Sequence, residues 1–144
     1  MLNTRASLAY AYHNAGDLQR AIPLLEHNLT EEERVLGADH SNTLRSRNNL
    51  ATAYQDAGDL NRAIPLFEQT LTDQEQVLGA DHPDTLTSRN DLANAYRAAG
   101  DLNRAIPLHE QTLTGSERVL GGDHPTTKVV RANLEVATQR QGRQ

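Results

Sequence analysis

The residues of this chain best suited to metal or acid–base chemistry are its six histidines, His13, His27, His40, His82, His109 and His124. Three of them, His40, His82 and His124, recur every 42 residues. A metal centre needs its ligands at about 2 Å from one ion. Equivalent atoms of stacked repeats stand roughly 10 Å apart, a helix-packing distance. These histidines are therefore expected to help Asp-His-Pro segments cap helices, and no metal is expected. The carboxylate run Glu31-Glu32-Glu33 reads as a solvated helix face. With no Cys, disulfides, zinc–thiolate sites and cysteine nucleophiles are excluded. No nucleophile elbow, phosphate loop, H-E-x-x-H or calcium-loop pattern occurs. Catalysis needs unlike groups that converge, whereas a repeat offers the same group again and again. The expectation is a protein that is not an enzyme and takes no cofactor.

What positions these residues is a period of 42. Ala-Gly-Asp-Leu occurs at 15–18, 57–60 and 99–102, and Arg-Ala-Ile-Pro-Leu at 20–24, 62–66 and 104–108. Between 43–84 and 85–126, 31 of 42 positions are identical. The chain divides into repeats 1–42, 43–84 and 85–126, with 127–144 as a C-terminal capping helix, the start of a fourth.

Each repeat reads as two helices. Leu44, Arg47, Leu50, Ala51, Tyr54 and Ala57 fall three or four apart along a helix A. Gly58 supplies the left-handed residue that ends it, and Asp59 caps helix B through its carboxylate. Leu60, Ala63, Ile64, Phe67, Leu71 and Leu78 form the apolar stripe of helix B, about 18 residues or roughly 27 Å long. Pro23, Pro65 and Pro107 fall inside helix B of every repeat and read as a built-in bend rather than a hinge.

Only 30 of the 144 residues are Leu, Ile, Val or Phe, with no Trp. That is little for one globular core, but small residues such as Ala51, Ala53 and Ala63 let helices approach closely, and stacked units share their apolar faces. The net charge is −5, against a nucleic-acid partner. No segment reaches the roughly 18 apolar residues of a membrane span, and Met-Leu-Asn-Thr-Arg at the start lacks a signal core. The expected setting is cytoplasmic, with no membrane partner.

The pattern Leu50-Ala51-x-x-Tyr54-x-x-x-Gly58-Asp59-x-x-x-Ala63-Ile64 resembles the tetratricopeptide repeat over essentially the whole chain. Arg5, Arg47, Arg89 and Arg131 stand near the place where the 34-residue form has Trp. The eight extra residues and the Leu-Gly-x-Asp-His-Pro connection resemble the 42-residue subclass of kinesin light chains, and the arrays that follow the nucleotide-binding domain of many bacterial signalling ATPases. The resemblance implies an all-α fold, a right-handed α-solenoid of antiparallel helix pairs, with the A helices lining a concave groove.

Carried onto this sequence, the groove positions are Arg45, Asn48, Asn49, Thr52 and Gln55 in the second repeat, and Thr87, Asn90, Asp91, Asn94 and Arg97 in the third. The first offers Asn3, Ala6, Ser7, Tyr10 and His13, and the last helix Val129, Ala132, Asn133 and Val136. An Asn amide both donates and accepts, which suits an extended peptide backbone. Arg45 and Arg97 suit a peptide carboxylate. Arg47 and its equivalents are expected to be structural, each laying its stem along the core and pairing with a Glu of helix B. His109, where the other repeats have Leu25 and Phe67, suggests a wetter position.

Charge is uneven along the array: −3 for 1–42, −4 for 43–84, −1 for 85–126 and +3 for 127–144. The last helix also carries Val129, Val130, Leu134 and Val136 with no helix B after it. Solenoid ends normally need polar caps, so head-to-tail self-association through these residues is expected, and the ragged ends suggest a piece of a longer array. The leading functional expectation is a scaffold that binds a peptide or protein in the groove. The alternatives are the ligand-sensing region of a larger bacterial signalling ATPase and a self-associating array without a separate ligand.

Overall fold

The computed structural model describes residues 2–142, and their side chains from residue 5 onward. Among these residues all regular structure is helical: α1 (Leu2–Asn14), α2 (Leu18–Leu36), α3 (Ser41–Asp56), α4 (Leu60–Val77), α5 (Pro83–Ala98), α6 (Leu102–Leu120) and α7 (Pro125–Gly142). Two compact units result, Met1–Val77 with α1 to α4 and Leu78–Gln144 with α5 to α7. Within each unit every helix packs on the one before it in sequence. No helix among the described residues is long and apolar enough to cross a membrane.

The turns follow from a few residues. At the end of α3, Gly58 takes φ +82°, a conformation that costs a side-chain-bearing residue free energy. Its N–H bonds to the Gln55 carbonyl at 2.9 Å, and the Asp59 N–H to the Tyr54 carbonyl at 2.8 Å. This pair of bonds satisfies carbonyls that the ending helix leaves without partners. Asp59 then starts α4: its Oδ1 accepts from the Arg62 N–H at 3.2 Å, and its Oδ2 from the Arg62 Nε at 2.5 Å. Asp17 and Asp101 accept in the same way from the N–H groups of Arg20 and Arg104.

Helix A is capped by histidine itself. The Nδ1 atoms of His40, His82 and His124 accept from the N–H groups of Asn42, Asp84 and Thr126 at 3.1, 3.0 and 3.1 Å. Repetition of these histidines thus reflects a repeated helix start. The prolines Pro23, Pro65 and Pro107 are exposed, and α2, α4 and α6 run on through them.

The core is more polar than the apolar stripes suggest. In the first unit, Leu44, Leu50, Ala51, Ala53, Tyr54, Ala63, Phe67 and Leu71 are buried, but so are Thr43, Thr70 and Gln74. Thr70 bonds back to the Leu66 carbonyl at 2.7 Å, as Thr112 does to that of Leu108 in the second unit. In the second unit Leu102, Ile106 and Ala137 form a cluster that Leu134 packs against. Ala57, assigned to the apolar face of helix A, is exposed just past the end of α3.

Arg47 has the structural role its setting predicted, with a different acid. Its Nη1 donates to Asp73 Oδ2 at 2.7 Å, and its Nη2 to the Ala38 carbonyl at 3.2 Å. The partner on helix B is Asp73, not a Glu. His109 departs further from expectation: it is 0% exposed. Leu25 and Phe67, its equivalents, are also buried, so the packed position decides and the polar residue follows it inside.

Candidate functional site

The polar positions of the A helices fall into three physical groups. Some bond one another: the Asn49 Nδ2 donates to the Tyr10 hydroxyl between α3 and α1, and the Asn133 Nδ2 to Asn90 Oδ1 at 3.4 Å between α7 and α5. These amides help tie neighbouring A helices together, a role that sequence spacing does not reveal. Others lie mostly inside: Asn48 and Asn90 are buried, and Thr52 is half-buried with its hydroxyl bonded back to the Asn48 carbonyl at 3.1 Å. A third group reaches solvent: Arg45 and Thr87 are exposed, and Gln55, Asp91, Asn94 and Arg97 are half-buried.

In the first repeat, Ala6 is half-buried, Ser7 and Tyr10 are exposed, and the His13 Nε2–H donates to Asp56 Oδ2 at 2.7 Å. The side chain of Asn3 lies outside the described residues.

In the second unit the polar positions border a cavity. Thr87, Asn90 and Asp91 of α5 and Pro125, Thr126 and Val129 of α7 enclose about 300 Å³. One turn further along α5, Asn94 Oδ1 is buried without a hydrogen-bond partner among the described residues. Burial, followed by the like charge of Arg140 on α7, lowers the pKa of the Arg97 guanidinium.

The α7 residues divide. Val129 is 54% exposed and Val136 39%, whereas Val130 is fully buried and Leu134 packs against Leu102, Ile106 and Ala137. Leu134 thus packs on Leu102 and Ile106 of α6, while Val130 lies inside. Among the described residues no group of three or more His, Cys, Asp or Glu side chains could hold a metal ion.

A second recurring arrangement joins the two helices of each hairpin. Arg20, Arg62 and Arg104 sit over the rings of Tyr12, Tyr54 and Tyr96, with centroid distances of 5.6, 4.7 and 5.2 Å. The Tyr54 hydroxyl donates to Glu26 Oε2 at 2.7 Å. Burial and then that carboxylate push the phenol up to about 12.

The helix pairs find a counterpart among known proteins. The family model described as tetratricopeptide repeat matches residues 1–76 and 55–117. The chain belongs to the tetratricopeptide repeat family. It is kinesin-light-chain-like: a crystal structure from Podosopora anserina, described as kinesin light chain nearly identical TPR-like repeats, aligns over 98% of this chain at 33% identity and TM-score 0.89. A Gln-to-Met variant of that same protein aligns over 98% at 32% identity and TM-score 0.89. BtubC (BKLC) from P. vanneervenii shares the fold, at 20% identity and TM-score 0.87 over 98% of this chain. The chain spans 67%, 66% and 56% of those three chains. No curated protein matches it. The fold class is therefore the all-α repeat solenoid. Tetratricopeptide repeats are in general protein–protein interaction modules, a scaffold type and not a catalytic one.

Proposed function

We propose that this chain binds an extended peptide segment of a protein partner along the polar faces of its A helices. In the first unit that face comprises Arg45, Asn48, Asn49, Thr52 and Gln55; in the second, Thr87, Asn90, Asp91, Asn94, Arg97 and Asn133. One observation carries the reading: Asn94 Oδ1 is buried without a partner among the described residues, one turn from Arg97, whose guanidinium lies against no acid there. A peptide N–H would satisfy the first, and a peptide carboxylate the second. The neighbouring cavity beside Thr87, Asn90 and Val129 is of a size for one side chain.

A peptide-array screen tests this with wild type and an Asn94→Ala/Arg97→Gln variant. The variant is expected to lose affinity about tenfold or more, the usual consequence of deleting a charge-assisted hydrogen bond. Peptides that bind both proteins equally would overturn the assignment.

Self-association is a second reading, favoured by the two exposed valines of α7, Val129 and Val136. The 127–144 segment carries +3 against −3 for residues 1–42, which suits a head-to-tail contact. Light scattering at low salt is expected to give a mass that rises with concentration, and Val129→Lys/Val136→Lys to abolish the rise. A constant monomer mass for wild type would end this reading.

A further inference from the structure

Positions 31, 73 and 115 are equivalent in the 42-residue period, and they carry Glu31, Asp73 and Gly115. The third repeat thus lacks an acid that the second repeat uses. In the first unit Asp73 Oδ2 lies 2.7 Å from Arg47 Nη1. In the second unit Arg89 takes the place of Arg47. It is 2% exposed, and its Nη2 donates to the Ala80 carbonyl at 3.2 Å, as Arg47 does to that of Ala38. Arg89 has no carboxylate partner among the described residues.

Arg89, Gly115, Arg118, Asp81, Gln111 and Thr114 border a cavity of about 400 Å³. Its charges are two arginines and one acid. Arg118 Nη2 donates to Asp81 Oδ1, so that acid is already neutralised and Arg89 supplies the net positive charge. Thr114 bonds to its own helix, its hydroxyl donating to the Glu110 carbonyl at 3.1 Å. None of these residues borders the cavity between α5 and α7, so the assignment does not depend on peptide binding there.

A guanidinium offers five N–H donors in a planar fork that matches a carboxylate. Leaving such a charge buried and uncompensated is costly, and an anion that enters the cavity relieves the cost. We infer that this cavity binds a carboxylate supplied from outside the chain, seated against Arg89 as Asp73 is seated against Arg47. One net positive charge and a planar guanidinium fork match a carboxylate better than a phosphate dianion. The source is either a free small carboxylate or an acidic side chain of another protein.

Nuclear magnetic resonance of the ¹⁵N-labelled 144-residue protein tests this. Sodium acetate is titrated with sodium chloride at equal ionic strength as the control. A second titration uses the peptide Gly-Asp-Gly amide, with Gly-Asn-Gly amide as its control. The Nε–Hε resonance of Arg89 is expected to move saturably with acetate or with the Asp peptide, and not with the controls. Acetate alone points to a free carboxylate; tighter binding of the peptide points to a protein partner. Gly115→Asp returns an internal acid to Arg89 and is expected to weaken binding about tenfold or more. An ideal Cβ at Gly115 stands 3.0 Å from Leu86 Cδ2, so the fold of this variant is checked by circular dichroism. If it is unfolded, the wild-type titrations decide alone. An Arg89 resonance that ignores both carboxylates, or a folded Gly115→Asp protein that responds like wild type, overturns the assignment.

Discussion

Replacing Arg47 by Met is expected to destabilise the protein by about 2–3 kcal/mol, whereas Arg89→Met should cost under about 1 kcal/mol. The two arginines are equivalent in the repeat, and both are buried. Removing Arg47 leaves the Asp73 carboxylate three-quarters covered without its cation. Loss of one member of a buried ion pair ordinarily costs about 3–5 kcal/mol, and the partial exposure of Asp73 reduces that range. Arg89 has no such partner to strand. Its removal takes away one bond to the Ala80 carbonyl, and with it a desolvated charge. Urea midpoints of the two variants provide the comparison. A third variant, Arg47→Met/Asp73→Leu, should regain most of the loss, because apolar replacement of a whole buried pair is often neutral. Equal losses at the two arginines would show that packing of the stem, not the ion pair, sets their contribution.

The second large effect concerns His109 and acid. Both ring nitrogens are buried without a hydrogen-bond partner among the described residues. Burial, followed by the positive charge of Arg97, depresses the imidazole pKa from 6.5 to about 4. The folded protein therefore holds a neutral ring at pH values where the unfolded chain takes up a proton. Stability from this group is fully present above about pH 6.5. It falls as the pH drops toward 4, by up to about 3 kcal/mol, and changes no further below that. His109→Leu, the residue type at equivalent position 25, should remove this contribution. It should also raise stability at pH 7 by about 1–3 kcal/mol, since it no longer buries an unsatisfied donor and acceptor. Denaturant midpoints for both proteins at pH 7 and pH 4.5 give the test. Parallel losses in the two would show that His109 does not carry the acid sensitivity.

The regular parts of this fold are legible because they repeat. Gly58 and Asp59 announce a helix end and a helix start through their own backbone and side-chain chemistry, which needs no knowledge of the surroundings. Arg47 among apolar neighbours points to a stem in the core. Its partner does not follow, because Asp73 and Glu75 both lie on α4 and only the packed geometry selects between them. At His109 residue type misleads, because position outweighs it. The equivalents Leu25 and Phe67 are the signal that the site is dry. The same holds for Gly115: its mismatch against Glu31 and Asp73 is visible, but its meaning requires the buried Arg89 beside it. On the candidate groove, the sequence shows that the A helices carry Asn and Arg. It does not show that Asn49 and Asn90 bond to Tyr10 and Asn133, since those contacts depend on how one A helix faces the next.

The recurring caps have a consequence for how such a chain can change over time. Gly58 and Asp59 are matched at Gly16 and Asp17 and at Gly100 and Asp101, and the histidine caps at 40, 82 and 124 are likewise interchangeable. A duplication or deletion of 42 residues, wherever it begins, rejoins backbone segments that already have the conformation the new neighbour requires. Length can thus vary in whole repeats without a new turn having to be invented. Between copies, single substitutions such as Asp to Gly at 73 and 115 can then set one repeat's chemistry apart while the scaffold stays the same.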